Sequence, residues 1–277
     1  MSLLSGKLIA ERILTETKDH IVQSGVTPGL AVVLVGDYLE SHKYVGLKEE
    51  RAKEIGIRFE KFLFPSTVLH DELIRCIETL NQRDDIHGII VQLPLPAGFP
   101  TDEIIAHIDP KKDTDGFHSE TLKRFLSGDR AACPVFPRAI IELIRETGVI
   151  FHGEKAVAVV NSSIIGRVLA FALSLEGLAS EYVLSADGQE VIAQETGDAR
   201  VVVTACGIPD LLTAGMLSPD AIVIDGGNVH VGDKVQGDVK RAEVEQHVAF
   251  LSPVPGGVGP VTVATLLARV ADAALQK

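Results

Sequence analysis

The residue types best suited to chemistry in this chain are a phenol and an amine four positions apart. Tyr44 and Lys48 lie in the stretch SHKYVGLK, residues 41–48. On a helix such residues share one face, a turn apart. A lysine beside a phenol is a proton-transfer pair: each perturbs the other's pKa, and desolvation brings an amine toward neutral pH. The same spacing is common on solvated helix faces, and taken alone the pair reads as one. Gln92 lies in HGIIVQLPLP, residues 87–96. Its amide donates and accepts together, as recognition of a pterin-like ring requires, and a hydrogen-bonded core glutamine fits the stretch equally well. Asp115 lies in DPKKDTDGFH, residues 109–118. There it is either part of a solvated Asp-Gly turn or a carboxylate aimed at a ligand N–H or amine.

These residues need elements to hold them. An apolar run at 30–35, LAVVLV, ends at Gly36-Asp37 and precedes the Tyr44/Lys48 helix. The pattern is a buried strand, a turn and a helix that stops near Ile55-Gly56. An amphipathic helix is expected over 3–24, a strand over 59–64 and a helix over 71–80. Gly88 to Leu93 reads as a buried strand stopped by Pro94 and Pro96, neither of which can donate to a ladder. Gln92 then stands near its carboxyl end, where open α/β sheets gather ligands. Strands alternating with helices predict a parallel α/β layer.

The second half repeats the scheme. A helix is expected over 137–147 with Pro137 in its first turn. Strands are expected at 155–160, 182–184, 200–204 and 221–224. The stretch NSSIIGRVLAFALSLEG, 161–177, opens a Rossmann-like unit after the first of these strands. The other strands end in turn residues at 185–188, 206–209 and 225–228, which supports a second α/β domain. PVPGGVGP, residues 253–260, is too rich in glycine and proline for regular structure and predicts a rigid tight loop suited to close ligand approach. A helix follows from Thr262 with Val263, Leu266, Leu267 and Val270 as its buried stripe.

Composition narrows the function classes. The 277 residues suffice for two domains, and 46% hydrophobic with 23% charged is ordinary for a globular protein. With 26 basic against 38 acidic residues, the formal charge of -12 argues against binding nucleic acid or an anionic membrane. Cys76, Cys133 and Cys206 are scattered and lack metal-ligand spacing, as in reduced cytosolic proteins. The first residues lack a basic leader segment, and no apolar run approaches about 18 residues. The expected address is the cytoplasm.

Taken together, several stretches resemble the bifunctional methylenetetrahydrofolate dehydrogenase/cyclohydrolase family. They are 29–57 (GLAVVLVGDYLESHKYVGLKEERAKEIGI), 88–96 (GIIVQLPLP), 109–118, 221–227 (AIVIDGG), 237–239 (GDV) and 252–267 (SPVPGGVGPVTVATLL). They follow the family's order and span nearly the whole chain. The resemblance implies an α/β protein of two domains: a folate-binding catalytic domain over 1–118 plus 255–277, and a Rossmann-like dinucleotide domain over 119–254. The active site would lie in the cleft between them, in a cytosolic homodimer. Tetrahydrofolate derivatives would be the substrates and NADP, or NAD, the cofactor. The family's catalytic lysine falls on Lys48 and its neighbouring tyrosine on Tyr44. Its folate-contacting residues fall on Gln92 and Asp115, and its folate-lining loop on Pro255, Gly256 and Gly257. The dinucleotide would meet Val160, Asn161, Ser162, Gly166 and Asn228. No metal is implied.

The implied chemistry is hydride loss from 5,10-methylenetetrahydrofolate, then water addition to the methenyl cation and opening to 10-formyltetrahydrofolate. Lys48 would activate the water, Tyr44 and Gln92 would tune its charge and position, and Asp115 would hold the pterin N–H groups.

The dinucleotide half departs from the family pattern. Val160 and Val168 stand where the family has glycine and proline, although Ser162 and Gly166 remain. A β-branched valine resists positive φ, so an altered loop is expected. Phe136 replaces a small hydroxyl residue and is expected to narrow the nicotinamide's space. The segment 184–188, LSADG, lacks a basic residue. Asp187 there is either a ribose ligand, which favours NAD, or a plain Asp-Gly turn, the reading adopted. Arg167 is read as a helix-surface residue. The alternative function is a cyclohydrolase or folate-binding homologue without a dinucleotide. A short-chain dehydrogenase is rejected, because its glycine-rich turn precedes the Tyr/Lys pair and here the Rossmann-like turn follows it.

Overall fold

Short aliphatic runs punctuated by glycine and proline make strands, and the longer amphipathic stretches between them make helices. The computed structural model describes residues 2–232 and 234–276. Met1, Asp233 and Lys277, including the outermost positions of the expected folate domain, lie outside that description. The first elements are β1 (Ser2–Leu3), α1 (Gly6–Ser24), β2 (Gly29–Val35), α2 (Leu39–Glu54), β3 (Arg58–Phe64), α3 (His70–Asn81), β4 (Gly88–Val91), α4 (Thr101–Ala106) and α5 (Ser119–Leu126). Then come α6 (Val135–Arg145), β5 (Lys155–Val160), α7 (Ser163–Ser174), β6 (Ala179–Leu184), α8 (Gln189–Thr196), β7 (Val201–Ala205) and β8 (Ile222–Asp225). The chain ends with β9 (Val229–Val231), β10 (Lys234–Gln236), α9 (Arg241–Val244), β11 (Phe250–Leu251) and α10 (Val258–Leu275).

Two compact units emerge, and the division falls within α1, α6 and α10. The unit of residues 11–135 and 263–277 is built on a three-stranded parallel sheet ordered β3-β2-β4. All seven residues of the central strand β2 are buried, which is why LAVVLV reads as a continuous apolar run. The α3 residues Leu73, Ile77 and Leu80 pack with Val33, Ile89 and Val91 in its core.

The unit of residues 1–10 and 136–262 is built on a six-stranded sheet ordered β1-β11-β8-β7-β5-β6, every pair parallel. β5 is flanked by β6 on one side and β7 on the other. The strand order therefore reverses at β5, where doubly wound folds bind dinucleotides. Val157, Val159, Val202, Val223 and Leu251 form its core. The α/β class expected from the sequence is the class observed.

Two expectations change. The first helix begins at Gly6, because Ser2 and Leu3 pair with Phe250 and Leu251 as a strand. PVPGGVGP is not wholly irregular, since α10 starts at Val258 and takes in Gly259 and Pro260. Proline is tolerated there because a first-turn N–H has no partner inside the helix. That helix is also long and apolar enough to cross a membrane by length and composition, but more than half of it is buried inside the protein. Val263, Leu266, Leu267 and Val270 are all buried, as the pattern predicts.

Candidate active site

The residues that could move protons converge in the first of these units. Lys48 and Tyr44 sit on α2, each partly buried. Gln92 is the first residue after β4, and its backbone N–H extends the ladder to the Val33 carbonyl at 2.8 Å. That bond sets where its side chain leaves the sheet. The Lys48 ammonium donates to Gln92 Oε1 at 2.9 Å, and Gln92 Nε2 donates to the Leu93 carbonyl at 2.8 Å. The glutamine amide is thus held at both ends, with its oxygen turned to the lysine. The Leu93-Pro94 bond is cis.

Asp115 arrives on the 109–118 loop, which is pinned at several points. The Ile89 N–H donates to the Lys112 carbonyl at 2.8 Å. Asp113 accepts from the Gly116 and His118 N–H groups, both at 3.0 Å. Lys112 is buried, and its ammonium donates to the carbonyls of Leu80, Asn81 and Arg83 at 3.0, 2.7 and 2.7 Å. It caps the carboxyl end of α3, where a cation meets the negative end of the helix dipole. Gly116 has φ +89 and a Cβ there would lie 2.7 Å from Pro134 Cα, so the turn beside Asp115 requires glycine.

Charge sets the site's protonation. Burial lowers the Lys48 pKa from lysine's ordinary 10.5, and the Asp115 carboxylate pulls it partly back. Burial raises Asp115, against the opposing pull of Lys48, with Asp113 adding to the rise and Arg269 opposing it. The amine is thereby biased toward its neutral, basic form, and the acid toward its protonated form. A depressed lysine, an oriented amide and a raised carboxyl form an arrangement suited to general base and acid work on a polar ligand.

The other predicted site residues lie in the six-stranded unit. Pro255, Gly256 and Gly257 belong to it, with a cis Val254-Pro255 bond and φ +108 at Gly256. A Cβ on Gly257 would lie 2.7 Å from the Pro253 carbonyl oxygen.

Val160 is the buried last residue of β5, and it does not take positive φ. The valine is therefore unstrained, because this position is still extended strand. Asn161 follows and donates to the Cys206 carbonyl at 3.0 Å. Ser162 is the N-cap of α7, with extended backbone and no side-chain capping bond. The first-turn N–H groups of such a helix suit an anion. At Gly166 a Cβ would lie 2.5 Å from the Tyr182 ring, so glycine lets α7 seat closely on β6. This donor set fits a dinucleotide pyrophosphate.

Asn228 is exposed. The Phe136 ring packs where a Cβ on Gly226 would sit, 2.8 Å from its Cζ, and so fills space at the end of β8. Asp187 closes its own turn, its Oδ2 accepting from the Leu184 N–H at 2.9 Å. Arg167 is exposed on α7.

Two acids escaped the sequence reading. Asp225 accepts from the N–H groups of Gly227, Asp238 and Val239 at 2.9, 3.0 and 3.0 Å. Asp238 accepts from Cys206 and Ile208 at 2.7 and 2.8 Å. Burial pushes Asp225 up to about 6 against the pull of those N–H donors. The pairing explains the glycines around it: a Cβ on Gly237 would lie 2.0 Å from Asp225 Oδ2, and one on Gly227 2.4 Å from the Asp238 nitrogen. AIVIDGG and GDV carry the signal, but only the folded chain brings them together. A cavity of ≈ 320 Å³ beside this knot, lined by Asp225, Gly237, Lys240, Arg241 and Ser252 among others, includes none of the predicted site residues.

The architecture and sequence have close counterparts. Residues 4–115 match the family model for the tetrahydrofolate dehydrogenase/cyclohydrolase catalytic domain, and residues 134–277 match the NAD(P)-binding domain of the same family. The bifunctional protein FolD of Methanosarcina mazei is 36% identical over 272 residues, covering 97% of this chain and 94% of that one. The solved FolD methylenetetrahydrofolate dehydrogenase/cyclohydrolase of Campylobacter jejuni superposes with TM-score 0.93 at 33% identity, over 100% of this chain and 99% of that one. The Trypanosoma brucei enzyme, solved with NADP cofactor and inhibitor, superposes with TM-score 0.95 at 30% identity, over 99% and 97%.

Proposed function

The chain belongs to the tetrahydrofolate dehydrogenase/cyclohydrolase family, and from that premise we propose that it oxidises 5,10-methylenetetrahydrofolate and hydrolyses the product to 10-formyltetrahydrofolate. The observation that carries the reading is the Lys48 ammonium on Gln92 Oε1 at 2.9 Å beside the Asp115 carboxyl. NADP or NAD, when bound, supplies the hydride acceptor. The α7 amino terminus, with Asn161 and Ser162, holds its phosphates, and Val160, Gly166 and Asn228 shape the surrounding turns.

The oxidised folate is a methenyl cation that water must attack. Lys48 in its neutral form takes the proton of that water, which its lowered pKa favours. Gln92 fixes the amine's position, and Tyr44, one turn earlier on α2, orders the same face. Asp115 binds the pterin's N–H groups. The reading includes a cytoplasmic address, supported by cysteines scattered through the sequence without metal-ligand spacing, and a homodimer, supported by the family resemblance.

The test is to supply the purified chain with 5,10-methylenetetrahydrofolate and either dinucleotide. Reduced nicotinamide and 10-formyltetrahydrofolate should both form at rates proportional to enzyme. Hydrolysis of preformed methenyltetrahydrofolate without any dinucleotide reduction would leave a cyclohydrolase alone.

A further inference from the structure

The Rossmann unit carries an acid, and no base, where the adenosine ribose is read. In such units the residues after the second strand face the ribose: a carboxylate there bonds the 2′-hydroxyl, whereas an arginine accommodates a 2′-phosphate. Here the unit is β5-α7-β6, and Ser185, Ala186 and Asp187 form a 3₁₀ turn directly after β6. Asp187 is not left to wander, since its Oδ2 accepts from the Leu184 N–H at 2.9 Å. A carboxylate has about four acceptor sites, so one such bond orients the group and leaves capacity for ribose hydroxyls.

The surroundings agree in sign. Residues 184–199 contain no lysine or arginine and four acids: Asp187, Glu190, Glu195 and Asp198. The 161–166 turn is also free of basic residues, the first on α7 being the exposed Arg167. Arg200, the next basic residue, stands 3.8 Å from Asp220. Lys155 on β5 is bonded to Glu195 at 3.0 Å and paired with Asp198 at 3.1 Å.

We propose that this chain selects NAD+ over NADP+, with Asp187 accepting the adenosine ribose hydroxyls on a turn that offers a 2′-phosphate no cation. The inference rests on the dehydrogenase reading above and specifies its cofactor.

Calorimetric titration of the full chain with NAD+, NADP+, ADP-ribose and 2′-phospho-ADP-ribose tests it by binding alone. NAD+ and ADP-ribose should bind about tenfold or more tightly than their 2′-phosphorylated partners, the scale of one charged contact. Asp187→Asn keeps an oxygen for the Leu184 N–H but removes the charge, and should narrow that ratio by several fold. Ala186→Arg adds a cation at an exposed position and should favour the 2′-phosphorylated ligands. NADP+ binding as tightly as NAD+ to the unaltered chain would overturn the proposal while leaving the dehydrogenase reading intact. A ratio unmoved by Asp187→Asn would overturn the role of Asp187. Failure to bind either dinucleotide would overturn the proposal and the dehydrogenase step together, and hydrolysis of preformed methenyltetrahydrofolate would then show whether the cyclohydrolase remains.

Discussion

The two units use buried charge in opposite ways. Around the three-stranded sheet, Lys48 answers to the side chains of Gln92 and Asp115, and burial and mutual charge shift the protonation of Lys48 and Asp115. Around the six-stranded sheet, Asp225 and Asp238 answer to backbone N–H groups and tie loops together. A perturbed acid is therefore not by itself a sign of chemistry. Asp225 is raised to about 6 and is spent on structure, whereas Asp115 is raised opposite a lowered lysine, which is what proton transfer requires. The contrast predicts that substitutions in the first set alter rate with little loss of fold, and that those in the second alter stability first.

Among the residues that position Lys48, Gln92→Leu should show the largest effect. It removes the 2.9 Å acceptor of Lys48 and should slow hydrolysis of methenyltetrahydrofolate by about 10²-fold, the scale of a misplaced catalytic group, with urea unfolding little changed. Unaltered hydrolysis would break the comparison. Lys112→Met should cost roughly 1.5–3 kcal/mol or more in urea unfolding, because three carbonyls lose a charged donor.

Gly237→Ala should cost about 1–3 kcal/mol, since its Cβ would strike Asp225 Oδ2. Dinucleotide affinity should fall with it, while hydrolysis of preformed methenyltetrahydrofolate in the remaining folded protein stays near normal. Calorimetry and the hydrolysis assay separate the two.

The smallest effect sharpens the charge argument. If neutral Lys48 is the base, hydrolysis rises with pH through a pKa below 10.5. The Asp115 carboxylate raises that pKa, so Asp115→Asn should move the rising limb to lower pH. A limb moved upward would contradict the coupling.

Much of this was legible in the chain. Seven consecutive buried positions made β2 readable as an apolar run, and Pro94 placed Gln92 at a strand end. Tyr44 and Lys48 were readable by helical spacing. Lys112 was not, because a lysine among acids in a turn looks solvated until the carboxyl end of α3 is brought to it. Asp225 and Asp238 are 13 residues apart, and nothing local marks them as one knot. The two-residue strand β1 was hidden because its partner, Phe250–Leu251, lies at the far end of the sequence. Pro260 suggested a break and instead occupies a first helical turn, where proline is harmless.

The most direct test is hydrolysis of preformed 5,10-methenyltetrahydrofolate by the unaltered protein and by Lys48→Ala, side by side at neutral pH without dinucleotide. The account predicts that the substitution removes most of the enzymatic acceleration, about 10²–10⁴-fold for a lost general base, while NAD+ or NADP+ still binds. Equal rates from the two proteins would contradict it.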